Sequence, residues 1–245
     1  MTERKPSPTR AAADIRRLLK GGGSADHAKG VQWFFKEEIK SHGWRTAALR
    51  RAAVGCRRNL QRKFGLPFVV KVADELFSGR VLEEKVFAVF LLEKLTGELG
   101  ENEFHLFESW LDRISSWADH DGLVHYLIAP MVLAEPTRVE SVFRWSKSPD
   151  RWHRRAACVA LIHGTRRGRF WPQITRLSNS LLRDKDDMVQ KGLGWLLRET
   201  GKANATRTIP YLMRIRARAP RLVLRTACEK LPPADRARIL VRRLQ

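Results

Sequence analysis

The sequence predicts an all-α solenoid, and three observations predict it. From Trp44 onward apolar residues recur at three- and four-residue spacing and nowhere alternate with polar ones over the length of a strand. Gly, Pro, Asn and Asp interrupt that pattern, and Pro or Asp stands just inside many of the implied helix starts. Basic clusters also return in register at Arg51, Lys85, Arg155, Lys191 and Arg225, with His120 and Asp121 filling the remaining step, so the period is 34 to 36 residues. Helix pairs at that period bury their faces against neighbouring pairs. The tetratricopeptide and ankyrin signatures are absent, which leaves HEAT-like repeats forming an αα-superhelix with a basic concave groove.

The elements follow in order. Residues 1–10, MTERKPSPTR, read as a flexible tail, and 11–245 as a single repeat domain. A short helix over 11–20 ends at Gly21, Gly22 and Gly23, a hinge rather than a phosphate loop, because no Gly-Lys-Ser/Thr follows. Ser24 or Asp26 then caps a helix over 26–39 that carries Trp33, Phe34 and Phe35. The remaining helices are expected at 46–63, 67–77, 82–99, 103–115, 119–133, 137–145, 149–163, 171–182, 186–200, 205–217, 220–230 and 233–244. Trp33, Trp110, Trp145 and Trp171, each at helical spacing, are expected in the core.

Charge narrows the partner. The 245 residues carry 47 Lys and Arg against 26 Asp and Glu, a net charge of +21 spread along most of the chain. A polyanion is the expected ligand. No apolar run approaches about 18 residues and no leader pattern opens the chain, so no membrane partner is expected. A cytoplasmic monomer is expected, nucleoid-associated if the source is bacterial. Cys56, Cys158 and Cys228 are odd in number and far apart, and they read as small buried hydrophobes. The seven histidines form no ligand pattern, so neither a metal nor a cofactor is expected.

Among the six in-phase positions, Arg51, Lys85, Asp121, Arg155, Lys191 and Arg225, five are cationic, which reads as a track for a phosphate backbone. Arg154 and His120 stand beside that track and join it as expected DNA contacts. Asp121 interrupts it and is the candidate for chemistry, although Asp119 and Asp121 both also suit the positive end of a helix. Trp117 lies one turn before Asp121 and Trp195 one turn after Lys191. Two indoles, a carboxylate and the Arg155 guanidinium would suit a cationic sugar or base.

Three segments carry a resemblance. Trp117-Ala118-Asp119-His120-Asp121, Trp152-His153-Arg154-Arg155-Ala156-Ala157 and Gly192-Leu193-Gly194-Trp195-Leu196-Leu197-Arg198-Glu199 resemble, in order and spacing, the active-site segments of AlkD-like DNA alkylation-repair glycosylases. Gly43-Trp44-Arg45-Thr46, followed by Arg50 and Arg51, resembles an earlier segment of that family, and the similarity spans about residues 25 to 230. The resemblance implies a monofunctional glycosylase that removes positively charged N3- or N7-alkylated purines from double-stranded DNA. It implies Asp121 as the catalytic carboxylate, Trp117 and Trp195 against the lesion deoxyribose, and Arg155 near carboxylate and backbone. The residues between Trp117 and Asp121 depart from the family pattern; the four-residue offset selects Asp121, with Asp119 as the alternative. A noncatalytic protein binding damaged or branched DNA, and a scaffold for an acidic protein, are the other two readings of the same charge.

Overall fold

The computed structural model describes residues 7–241. Among them every regular element is a helix, as the apolar spacing predicts, and no helix is long and apolar enough to cross a membrane. The chain divides into two compact units, residues 1–127 and 128–245.

The first unit holds α1 (Pro8–Gly22), α2 (Ala25–Gln32), α3 (Thr46–Phe64), α4 (Leu66–Phe77), α5 (Leu82–Leu92), α6 (Glu101–Trp110) and α7 (Trp117–Leu123). Ser7 and Ser24 cap the first two by accepting from the amides of Arg10 and His27, donors that a helix start leaves unpaired. Helix α1 therefore begins within the stretch expected to be a tail, whose residues 1–6 lie outside the described residues, and it runs through two of the three hinge glycines. At the turn between α3 and α4, Gly65 takes φ +80°, a left-handed conformation that would cost a residue with a Cβ about 1–2 kcal/mol. Helix α4 packs against α1, α3 and α5, and α5 against α3 and α7. Leu76, Phe77 and Phe87 fill this core, and Phe77 stacks on Trp110 with ring centroids 4.2 Å apart. Burying a side chain of that size contributes about 1.5–3 kcal/mol.

The second unit holds α8 (Ala129–Ala134), α9 (Val139–Trp145), α10 (Arg151–Val159), α11 (Ile162–Thr165), α12 (Trp171–Leu181), α13 (Asp187–Ala203), α14 (Ala205–Ile215), α15 (Arg221–Ala227) and α16 (Pro233–Leu240). Asp150, Asp186 and Asn204 cap α10, α13 and α14 through their side-chain oxygens. Helix α13 is the axis of this unit and packs against α10, α11, α12, α14 and α15. Two glycines permit that: a Cβ on Gly192 would lie 3.1 Å from Arg155 Cγ of α10, and one on Gly194 would lie 2.6 Å from Thr226 Cβ of α15. The Gly-x-Gly of the sequence is thus a packing device between helices.

Differences from the expected elements have local causes. The expected 26–39 helix stops at Gln32, because the Gln32 side chain turns back to bind backbone groups of Glu37 and Ile39. Trp33, expected in the core, is 87% exposed, whereas Trp110 and Trp145 are buried and Trp171 is half-buried against Tyr211. The expected 119–133 helix begins at Trp117 and is π-helical over Val124–Ile128. Pro130 has no amide hydrogen and its ring crowds the carbonyl four residues back, so the turn widens there. The expected 149–163 helix breaks after Val159 and resumes at Ile162. Residues 242–245, the end of the expected last helix, lie outside the described residues. Cys158 and Cys228 are buried and Cys56 is half-buried; burial pushes the Cys158 thiol up to about 12.

Candidate active site and nucleic-acid interface

The start of α7 is built around Asp119. Its Oδ1 accepts from the amide of Ser116 at 2.7 Å and from the Ser116 hydroxyl. Oδ2 accepts from the Ser115 amide at 2.9 Å, the Ser115 hydroxyl at 3.0 Å and the Lys85 ammonium at 3.2 Å. Five donors occupy a carboxylate that is 0% exposed, so none of its lone pairs is left for a water or a substrate. Asp119 is the third helical residue of a capping box whose cap is Ser116.

Lys85 is expected from the sequence to touch DNA, and the structure corrects this. Its side chain is 5% exposed; besides Asp119 the ammonium donates to the Arg113 carbonyl and to the Ser115 hydroxyl at 3.1 Å, and it lies over the Phe77 ring. A buried lysine with a buried carboxylate partner neutralises charge inside the fold, since neither ion alone would be tolerated there.

Asp121 is placed differently. Its side chain is 21% exposed, one turn after Trp117, and Oδ1 lies 2.7 Å from Nδ1 of His120. His120 itself is 0% exposed, so its expected DNA contact is also corrected: a ring enclosed in the fold cannot reach a phosphate. With an ionised carboxylate beside it, the imidazole is the donor and fixes the orientation of Asp121. Trp117 is half-buried, and Phe35 stacks on it with centroids 5.0 Å apart and planes 15° apart. The Trp117 indole Nε1 donates to the Phe34 carbonyl at 3.4 Å.

Phe35 and the segment that presents it, residues 33–45, were not singled out as functional by the sequence. The segment has no regular structure but is firmly held. Glu83, at the start of α5, accepts from the Ser41 hydroxyl at 2.7 Å and from the amides of His42, Gly43 and Trp44 at 2.9, 2.9 and 3.2 Å. Burial by itself would raise this carboxyl, but those hydrogen bonds outweigh it and hold it below the usual range. The stabilisation is therefore present above the unfolded value and is lost as pH falls through the folded one. No spacing rule joins Gln32 or Glu83 to this loop, so the sequence marked Gly43 and Trp44 by resemblance without signalling what holds them.

The other candidates lie in the second unit. Arg155 of α10 is buried over Gly192, and its Nη1 donates to the Met188 carbonyl at 2.6 Å. The structure thus brings Arg155 against α13, the helix that also carries Lys191 and the half-buried Trp195. Arg154 is held by Asp184 at 2.6 Å and by the carbonyls of Ser148 and Pro149, so it braces the fold. Lys191 is half-exposed and pairs with Asp187 at 3.3 Å, a surface pair of little net strength that a phosphate can replace. Arg225 on α15 is exposed, as is Arg51 on α3. Within each unit the in-phase positions do fall on helices packed side by side: α3, α5 and α7 in the first, α10, α13 and α15 in the second. What the register does not give is accessibility, since Lys85 and Arg155 face inward.

The salt dependence of duplex binding should follow accessibility. Arg51→Glu and Arg225→Glu are each expected to lower the slope of log affinity against log salt by about 0.9 or more, one counterion-release term or a larger one if repulsion is added. Equal slopes for both variants and the parent, measured by anisotropy titrations from low to physiological salt, would remove these residues from the interface.

Comparison with known proteins agrees with this architecture. A solved structure of a predicted DNA alkylation repair enzyme from Enterococcus faecalis superposes with a TM-score of 0.77 at 15% identity, covering 88% of this chain and 99% of that one. The fold is of that all-helical class. A family profile described as DNA alkylation repair enzyme matches residues 15–231, and the chain belongs to that family. No curated protein gives a significant match.

Proposed function

We propose that the protein is a monofunctional DNA glycosylase that hydrolyses the N-glycosidic bond of cationic N3- and N7-alkylated purines in duplex DNA. The observation that carries this reading is the division of labour between two neighbouring carboxylates: Asp119 is consumed by its five donors, while Asp121 keeps access to solvent beside Trp117 and is oriented by His120. Alkylation places positive charge on the purine, so the base leaves without a general acid, and the transition state is an oxocarbenium-like sugar. One ionised carboxylate stabilises that cation and positions the attacking water. Trp117 takes the role that the family resemblance gives it, its indole against the deoxyribose.

The test is incubation with a duplex carrying 7-methylguanine, with chromatography of the released base. Free 7-methylguanine and an abasic, uncleaved strand are expected, with no release of uracil or hypoxanthine from matched duplexes, because no second acid protonates a neutral base. Release of uracil, or a covalent complex trapped by borohydride, would overturn the mechanism. Binding of the methylated duplex with no purine released would replace it with a noncatalytic role.

A further inference from the structure

Two rings stand where a folded protein rarely leaves them. Trp33 is 87% exposed and Phe34 is 70% exposed, adjacent in sequence and edge-to-face with centroids 6.2 Å apart. They do not hang on a slack segment. The Gln32 side chain bonds to the Glu37 carbonyl and the Ile39 amide, both at 2.8 Å, and Glu83 gathers the amides of residues 42–44. A backbone so braced holds the two rings at one place on the surface, and that lowers the ordering cost of meeting a ligand.

Their position says which ligand. The carbonyl of Phe34 accepts from the indole of Trp117, and the next residue, Phe35, stacks on that same indole. Trp33 and Phe34 are thus continuous with the aromatic side of the candidate site, two residues and one residue from the ring that covers Trp117. Lys29, Lys36, Lys40 and Arg45 are exposed on α2 and the same loop, so the surroundings offer cations to a polyanion. Nucleic acids combine the flat π faces of their bases with a phosphate chain, and they are the ligand that matches both features.

We propose that Trp33 and Phe34 form a stacking element for the bases at the damaged step of duplex DNA, an aromatic contact added beside Trp117. The proposal rests on the reading of Trp117 and Asp121 as the lesion-facing pair. Undamaged duplex keeps its bases paired and stacked on one another, so the element gains most where a lesion or a missing base leaves a π face uncovered. It therefore acts on discrimination for damage more than on overall affinity.

The test uses the full chain and the double variant Trp33→Ala/Phe34→Ala, with Trp33→Tyr/Phe34→Tyr as the conservative control; both change exposed side chains, and thermal melts establish that they fold. Affinities are measured for two duplexes of equal length, one undamaged and one with a tetrahydrofuran abasic site flanked by 2-aminopurine. The alanine variant is expected to lose about tenfold in affinity for the abasic duplex, in the range of one lost base–aromatic stack, and less than twofold for the undamaged one. The 2-aminopurine signal should change on binding of the parent and the tyrosine variant but not of the alanine variant. Unchanged discrimination, equal loss on both duplexes, or a parent with no preference for the abasic duplex would each overturn the proposal. Loss of binding to phosphatidylglycerol vesicles with DNA discrimination intact would overturn it in favour of a membrane surface. None of these readouts needs base excision, so failure of the parent to release purine would sink the glycosylase reading while leaving the stacking contact separately decided.

Discussion

Asp121→Asn should slow release of 7-methylguanine by about a hundred- to a thousandfold while leaving the melting temperature and duplex affinity nearly unchanged. The substitution removes the negative charge facing the cationic sugar, and loss of one preorganised electrostatic group at a transition state costs about 2.7–4 kcal/mol. It removes almost no volume, and the amide oxygen still accepts from His120 Nδ1, which lies 2.7 Å from the carboxylate. Single-turnover rates with saturating enzyme isolate the chemical step. A variant that excises at the parental rate would transfer the role to another group and make the four-residue offset from Trp117 uninformative.

Lys85→Met should be the most destabilising of the substitutions considered, by about 3–5 kcal/mol, because it leaves Asp119 charged and buried without its cation. Lys85→Met/Asp119→Asn should be more stable than Lys85→Met alone, although it carries one more substitution. The asparagine removes the stranded charge, which outweighs the loss of one acceptor oxygen: its single amide oxygen serves the Ser116 donors or the Ser115 donors, but not both. Urea unfolding of the parent, both single variants and the double variant gives the coupling directly. Additive losses would mean that the two side chains do not share a buried pair. Duplex affinity of the folded variants should change little, which is the opposite of what a groove lysine would do.

These expectations differ from the sequence reading in an instructive way. Helices and their starts were readable because their causes are local: Asp150 and Asp186 cap within three residues, and the apolar spacing of α4, α10 and α13 sets which face is buried. The roles of Asp119 and Asp121 were half-readable. Ser116 and Asp119 stand three apart before an apolar run, the capping-box pattern, and that signal alone would have assigned Asp119 to structure. Lys85 was not readable, since its partner lies 34 positions downstream and a lysine in register with exposed arginines looks like one of them. Trp33 was misleading for the converse reason: an aromatic triplet after a capped helix looks like core, and only Gln32 and Glu83 decide that the chain leaves the helix before Trp33.

The grip of Glu83 on the loop also has a kinetic meaning. Three consecutive amides donate to one carboxylate about 40 positions further along the chain, so the three bonds together require α5 to be formed and docked. Closing so long a stretch of chain is an entropic cost met once, for all three together. Residues 41–44 are therefore expected to order together with α5, and hydrogen exchange at the amides of 42–44 should slow as a group.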